Sequence, residues 1–206
     1  MSLAFAAPMR PRRRAPYPAH PHEHFVEELW VSRRLFEARP YFDVVVDPFA
    51  GFGHVVKSAR ACGLSAYGSD LVARAAGIAG GRDFFDSGWR APRRAGGEFA
   101  IVANPPFGGR KPLIRDIARL ALERADPVAL LLPVTRLGPA GAWLEDLPLA
   151  EVLLLDRRSS LWPGDIHAAR VAAGQKLGAG YEPLCWALFR RGARGAPRVA
   201  WLRREG

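Results

Sequence analysis

Asn104-Pro105-Pro106-Phe107 follows directly on the apolar run Phe99-Ala100-Ile101-Val102-Ala103. Two successive prolines end a strand there, because neither has an N–H to donate and both have φ fixed. The backbone carbonyls are left facing outward, and in an open α/β sheet ligands bind in the crevice beyond the carboxyl ends of the strands. The side-chain oxygen of Asn104, the carbonyl of Pro105 and the ring of Phe107 would converge there on a planar group carrying an NH2. Each oxygen accepts one N–H and the aromatic face stacks on the ring. An amine conjugated to a nucleobase is a poor nucleophile. Hydrogen bonds to both its N–H groups favour a tetrahedral nitrogen and stabilise the positive charge that develops during attack, which is selective stabilisation of the transition state. The competing structural account is a strand end with Phe107 over the core.

The elements that must position this group lie upstream. Phe42-Asp43-Val44-Val45-Val46 is a β-branched run that reads as a buried parallel strand. It feeds the turn Asp47-Pro48-Phe49-Ala50-Gly51-Phe52-Gly53, then Val55 to Ala61, a helix against the sheet. Gly51 and Gly53 let the backbone approach a ligand closely, and the helix start offers free N–H groups to a carboxylate. Ser65-Ala66-Tyr67-Gly68-Ser69-Asp70 reads as a second strand ending in an acid. Asp70 lies 70 − 51 = 19 residues after Gly51, close to the ~20 that separates the glycine turn from a ribose-binding acid in a βαβ nucleoside site. A dinucleotide fold uses the same geometry, but a G-x-G-x-x-G pattern aligned on Gly51 and Gly53 puts its third glycine at Val56, and dehydrogenases have no use for the Asn104 tetrapeptide.

With these features in this order, the chain resembles the class I S-adenosylmethionine-dependent methyltransferases, in particular those that methylate an amino group on a DNA base. Its Phe25-Val26-Glu27-Glu28-Leu29-Trp30 opening is similar to that of small phage- or prophage-encoded members, and the resemblance runs from about Phe25 to the last strand. It implies that the Asp47 to Gly53 turn, with Asp47, Pro48, Phe49, Ala50, Gly51 and Gly53, wraps the methionine part of the cofactor. It further implies that Asp70 holds the ribose with Leu71 beside the adenine, and that Asp83-Phe84 contacts the adenine. Asn104, Pro105, Pro106 and Phe107 match the family's [Asp/Asn/Ser]-Pro-Pro-[Tyr/Phe] catalytic motif. Two departures stand out. Many members carry Glu-Pro or Thr-Pro before the first strand where this chain has Glu27-Glu28, so no role is carried over to these two. Members that select a DNA sequence usually carry a separate target-recognition domain, for which this chain leaves no room.

The chain of 206 residues suffices for one domain with a sizeable core. Residues 1–18, rich in proline and arginine, read as a flexible basic arm, and residues 19–206 as the catalytic domain. Pro112 to Leu122 has helical spacing of apolar residues. Pro127 to Pro133, Glu151 to Leu155, Cys185 to Phe189 and Arg198 to Leu202 read as strands, the last two as closing antiparallel strands near one edge. Alternating strands and helices imply an α/β layered sheet with helices on both faces, and the resemblance makes this a Rossmann-like class I methyltransferase fold. Phe25 and Trp30 suggest an amphipathic helix. Ser159 to Gly180 reads as a long loop at the substrate rim, with Trp162 available to stack on a base, the alternative being a core-covering loop.

His20, His22 and His24 alternate without the one-turn spacing of a catalytic metal helix, so they read as a solvated segment and no metal is expected. Cys62 and Cys185 give no disulfide framework. With neither a signal peptide nor a membrane-spanning run, a cytoplasmic protein is expected. The net charge of +10 favours an anionic partner, although the excess of arginine over lysine is also what GC-rich coding produces.

The sequence therefore points to S-adenosylmethionine-dependent methylation of an exocyclic amine on a nucleic-acid base, with DNA favoured over RNA and adenine N6 the leading target. Cytosine N4, guanine N2 in ribosomal RNA and a protein glutamine amide all present the same planar NH2. A catalytically silent binding module with this fold is the alternative of another class.

Overall fold

The computed structural model describes residues 24–92, 95, 97–107, 113–178, 180 and 182–204. The expected arm of residues 1–18 lies outside them, as do His20 and His22. In chain order the elements are β1 (Phe25–Glu27), α1 (Leu29–Ala38), β2 (Val44–Asp47), α2 (His54–Ala61), β3 (Ser65–Ser69), β4 (Ile78–Ala79), β5 (Ala100–Ala103) and α3 (Leu113–Arg124). They continue with β6 (Val128–Pro133), β7 (Leu149–Leu155), β8 (Leu161–Pro163), α4 (Gly164–Ala172), β9 (Leu184–Phe189) and β10 (Arg198–Leu202).

Eight strands form one sheet in the order β10-β7-β9-β6-β5-β2-β3-β4. Every pairing is parallel except those of β9 with β6 and β7. Strands buried on both faces need apolar residues pointing both ways, and the continuous runs supply them. Val45, Val102, Leu131, Leu153 and Trp186 face α1 and α2, whereas Val46, Ile101, Leu130, Val152 and Phe189 face α3. The crossovers run outward from the middle: β2 leads through α2 to β3 on one side, and β5 leads through α3 to β6 on the other. β2 and β5 are themselves paired, Val45 opposite Ala100 and Val46 opposite Ile101. The chain reverses direction between them, which opens a crevice beyond their carboxyl ends. Asp47 ends one of these strands and Asn104 follows the other.

Three features differ from the sequence reading. β10 is parallel to its neighbour β7 rather than antiparallel. The link 190–197 is long enough to carry the chain past β7 to the far edge, so β10 runs opposite to β9 without pairing with it. Phe25 lies in a strand, not a helix: β1 pairs antiparallel with β8, and α1 starts only at Leu29 because Glu28 is extended (φ −74°, ψ 145°). The segment 159–180 is not one long loop, since among its described residues β8 pairs with β1 over Leu161–Pro163 and α4 follows.

Candidate active site

The crevice holds a cavity of about 260 Å³. Pro48, Phe49, Asp70, Leu71, Asp83, Phe84, Asn104, Pro105 and Pro106 line it, and Asp47, Ala50 and Gly51 line a smaller recess beside it, with Asn104 between the two. Twelve of the fifteen residues singled out in the sequence thus meet in one place. Gly53, Phe107 and Trp162 do not line either space.

The turn after β2 is held by its own backbone. Asp47 accepts the Phe49 N–H at 2.9 Å, the Ala50 N–H reaches the Ser69 carbonyl at 3.0 Å, and the Gly51 N–H reaches Asp70 Oδ2 at 2.9 Å. Gly51 (φ +48°) and Gly53 (φ +75°) take left-handed conformations that side chains disfavour. Close packing of α2 on the sheet, for which no glycine on α2 was available, comes instead from Gly68 in β3: a Cβ there would lie 2.6 Å from Ile78, 2.8 Å from Ala50 and 3.0 Å from Val56. Gly53 caps α2 and packs near Ile78.

Asp70 is engaged at both oxygens. Besides Gly51 on Oδ2, Oδ1 accepts the Val72 N–H at 3.1 Å and pairs with Arg74 at 2.7 Å. Asp83 accepts the Phe85 N–H at 2.8 Å, which turns the chain so that Phe84 is buried and Phe85 exposed. The Phe84 ring meets Phe49 (5.2 Å) and Trp89 (5.1 Å) and is covered by Arg124 (4.8 Å). Leu71 and Phe85 are about half exposed and form an apolar rim to the cavity, as expected where a flat ring is to be covered.

Asn104 donates its side-chain N–H groups to the Phe25 carbonyl (3.0 Å) and to Glu27 Oε2 (2.7 Å). Its side-chain oxygen is buried and has no hydrogen-bond partner among the described residues. Pro105 is buried and Pro106 half-buried. Phe107 packs against the core on the α3 side, and its carbonyl accepts a hydrogen bond from Arg136 at 2.7 Å. Trp162 lies on β8 with Arg170 over its ring (4.3 Å) and its Nε1 donating to the Leu177 carbonyl (2.6 Å).

Sequence reasoning missed His24, Glu27, Arg74, Arg82 and Phe85. A second aromatic after Asp83-Phe84 was a readable hint for Phe85. Glu27 stands where many family members carry Glu-Pro or Thr-Pro, which was the readable signal, but its partner Asn104 is 77 residues away. His24 was read as solvated, but its backbone carbonyl accepts the Gly164 N–H and its ring fills the notch at Gly51, where a Cβ would lie 2.4 Å from Nε2. The close approach that Gly51 permits is made by this ring.

Four carboxyl groups, Glu27, Asp47, Asp70 and Asp83, and two guanidinium groups, Arg74 and Arg82, line the cavity and its recess. Burial pushes the Glu27 carboxyl above the usual range, and burial together with the Glu27 and Asp70 carboxylates pushes Asp47 well above it. Burial lowers His54, whose Nδ1 lies 2.6 Å from the Glu27 carbonyl, and also His167. Among the described residues no three ligands converge to hold a metal ion, Cys62 and Cys185 are free thiols, and no helix is long and apolar enough to cross a membrane.

No protein-family model and no curated protein matches the chain. Among solved structures it is similar to a protein named as a candidate RNA methyltransferase, PH1948 of Pyrococcus horikoshii, with TM-score 0.52 and 14% identity over 79% of this chain and 88% of that one. It is also similar to TrmN from Thermus thermophilus, with TM-score 0.42 and 20% identity over 77% of this chain and 48% of that one, so it spans about half the length of TrmN. The chain has a Rossmann-like methyltransferase fold, mostly parallel with an antiparallel strand near one edge, as the sequence led us to expect.

The residues present suit the cofactor that this fold implies. S-adenosylmethionine carries a sulfonium and an ammonium, and a bound cation would offset the burial and the neighbouring Glu27 and Asp70 carboxylates that hold the Asp47 carboxyl above its ordinary range. An acid at the end of β3 and an apolar, aromatic-floored cavity beside it suit a nucleoside.

Proposed function

We propose that this protein transfers a methyl group from S-adenosylmethionine to the exocyclic amine of a nucleic-acid base, with adenine N6 in DNA the first acceptor to test. The observation that carries this reading is the orphaned oxygen of Asn104. Both N–H groups of its amide are committed to acceptors, so only an acceptor is left to offer a ligand, and a buried acceptor without a partner is costly unless a donor arrives. An amine is such a donor.

Asp47 and the Phe49 to Gly51 backbone would hold the methionine part, and Asp70 with Leu71 the ribose and adenine, with Asp83 and Phe84 closing the adenine side. S-adenosylmethionine, when bound there, would supply an electrophilic methyl whose bond to sulfur breaks as the bond to nitrogen forms, leaving a neutral thioether, and the amine would lose one N–H proton to water. The work of this chain is to orient the amine. Asn104 and the Pro105 carbonyl each accept one of its N–H groups, which localises the nitrogen lone pair and stabilises the charge it acquires. A base in a duplex would have to be flipped out of the stack to reach this depth. Phe107 packs on the core, so stacking on the base falls to Pro106 or to a rearranged Phe107.

Transfer of a labelled methyl to single-stranded DNA, duplex DNA, RNA and protein, followed by identification of the modified group, tests the reading. The expected product is N6-methyladenine in DNA. Label at cytosine N4, guanine N2 or glutamine would keep the amine chemistry and change the acceptor, and the likeness to a candidate RNA methyltransferase makes the RNA arm as important as the DNA arms. No transfer to any arm, together with no cofactor binding by calorimetry, would favour a silent binding module.

A further inference from the structure

We propose that Glu27 is a positioning residue, which sets the orientation of the Asn104 amide and strengthens its oxygen as an acceptor. This assignment rests on the amino-methyltransfer reading of Asn104. An amide side chain can occupy its site in two orientations that exchange oxygen and nitrogen, and they are equivalent sterically but opposite chemically. In one, Asn104 offers an acceptor to the cavity. In the other it offers two donors, which would confront the N–H groups of an amine and repel them.

The surroundings of Asn104 decide between them. The Phe25 carbonyl and the Glu27 carboxylate both face the same terminal atom, at 3.0 and 2.7 Å. The Phe25 carbonyl can only accept, and the ionised Glu27 carboxyl likewise, so the atom between them is the NH2, and its two hydrogens satisfy one each. The reverse orientation would press three oxygens together. A carboxylate pulling on an amide N–H also shifts electron density toward the amide oxygen, and hydrogen bonds in series reinforce one another in a buried site. The orphaned oxygen is thereby made a better partner for an amine gaining positive charge.

Glu27 is held for this task from outside the main sheet. Val26 and Glu27 are paired with Trp162 and Leu161 across the β1–β8 ribbon. The next residue, Glu28, accepts hydrogen bonds from the Ser160 N–H (3.0 Å), the Ser159 hydroxyl (3.2 Å) and Trp30 Nε1 (3.1 Å). Glu27 is 5% exposed and, among the described residues, no lysine or arginine pairs with it. A buried carboxylate without a counter-charge is a poor clamp for a strand, so a purely structural role accounts badly for an acid at this position.

Asn104 is the only asparagine in the chain, so labelling with 15N-asparagine gives a single side-chain NH2 signal pair. In the cofactor-free protein at neutral pH both protons of the pair should be shifted downfield and slow to exchange, and in Glu27→Met one of them should lose that protection. In the methyl-transfer assay at saturating S-adenosylmethionine, with an adenine-containing oligonucleotide acceptor, Glu27→Met should lower kcat by about 100-fold, the scale of loss when a reacting group is misplaced. Glu27→Gln, which can still turn an oxygen toward Asn104, should stay within about 10-fold of the wild type, as expected when one hydrogen bond loses only its charge assistance. An exchange-labile amide pair in the wild type, or a Glu27→Met enzyme with unchanged kcat or with its loss confined to KM for the cofactor, would overturn the assignment. The NMR arm reads the proposal even if Glu27→Met does not fold. Asn104→Ala separates the two levels: if it is inactive while Glu27→Met is fully active, only the role of Glu27 fails, and if it is fully active the amine-binding role of Asn104 fails as well.

Discussion

Gly51 donates its backbone N–H to Asp70 Oδ2 at 2.9 Å. The glycine turn after β2 and the acid after β3 are therefore one hydrogen-bonded unit, in which the group proposed to hold a ribose also fixes the turn proposed to hold the methionine part. Arg74 and the Val72 N–H complete the unit from the other oxygen.

Asp70→Ala should consequently damage both binding and folding. Calorimetric titration should show affinity for S-adenosylmethionine weakened by about 100-fold, the equivalent of two or so good hydrogen bonds. Urea unfolding should show a loss of about 1–3 kcal/mol from the unsatisfied Gly51 N–H. Wild-type affinity in this variant would remove Asp70 from the cofactor site.

Asp47 gives a prediction about pH. Its folded-state pKa is raised well above the ordinary aspartate value of about 4, so between those two values the folded protein binds more protons than the unfolded one. The stabilising contribution of the protonated form is complete below the unfolded pKa and is lost as pH rises through the folded one. A cationic ligand prefers the ionised form, so cofactor affinity should rise as pH approaches and passes the raised folded-state pKa. Asp47→Asn should raise cofactor-free stability at neutral pH by about 1–2 kcal/mol and weaken cofactor binding, the usual exchange between stability and function. Thermal melts and calorimetry across pH would check this, and a pH-independent affinity would contradict it.

Gly68 is a packing test. In Gly68→Ala the new methyl would meet Ile78, Ala50 and Val56 at 2.6–3.0 Å. Overpacking of this kind costs about 1–3 kcal/mol, and because Ala50 belongs to the cofactor turn, affinity should fall with the urea midpoint. An unchanged midpoint would mean that α2 can move away freely.

Charge gives a test of the partner. If nucleic acid is the substrate, the logarithm of the dissociation constant for an oligonucleotide should rise steeply and linearly with the logarithm of salt concentration. Arg157 and Arg158 are exposed just beyond the carboxyl end of β7, the end of the sheet that bears the cavity. Removing either should lower the slope by about 1 if it contacts a phosphate. Binding insensitive to salt for both DNA and RNA would exclude nucleic acid as the partner.

Much of this site could be read before any fold was known, because its determinants are local. The run Val44-Val45-Val46 has the composition of a strand buried on both faces, Gly51 and Gly53 mark a turn that only small residues form easily, and two prolines after Asn104 end a strand whatever lies around them. Phe107, which its place in the motif offers as a stacking residue, is partly buried and packs against the core on the α3 side. Trp162 was placed in a loop, yet a strand pairing with residues more than a hundred positions earlier makes it part of a ribbon, with its ring under Arg170.

The sequence by itself determined the strands β2, β3, β5, β6, β7, β9 and β10 with the helices α2 and α3, the glycine turn, the acid at Asp70 and the amide at Asn104, since each follows from periodicity, backbone restriction or side-chain chemistry within a few residues. Only the tertiary structure decided which way the Asn104 amide faces, because the two acceptors that orient it arrive from 77 and 79 residues away. Only it decided that Gly68 rather than a helix glycine lets α2 approach the sheet. Local rules state what a residue can do, and contacts distant in sequence select which of those things it does.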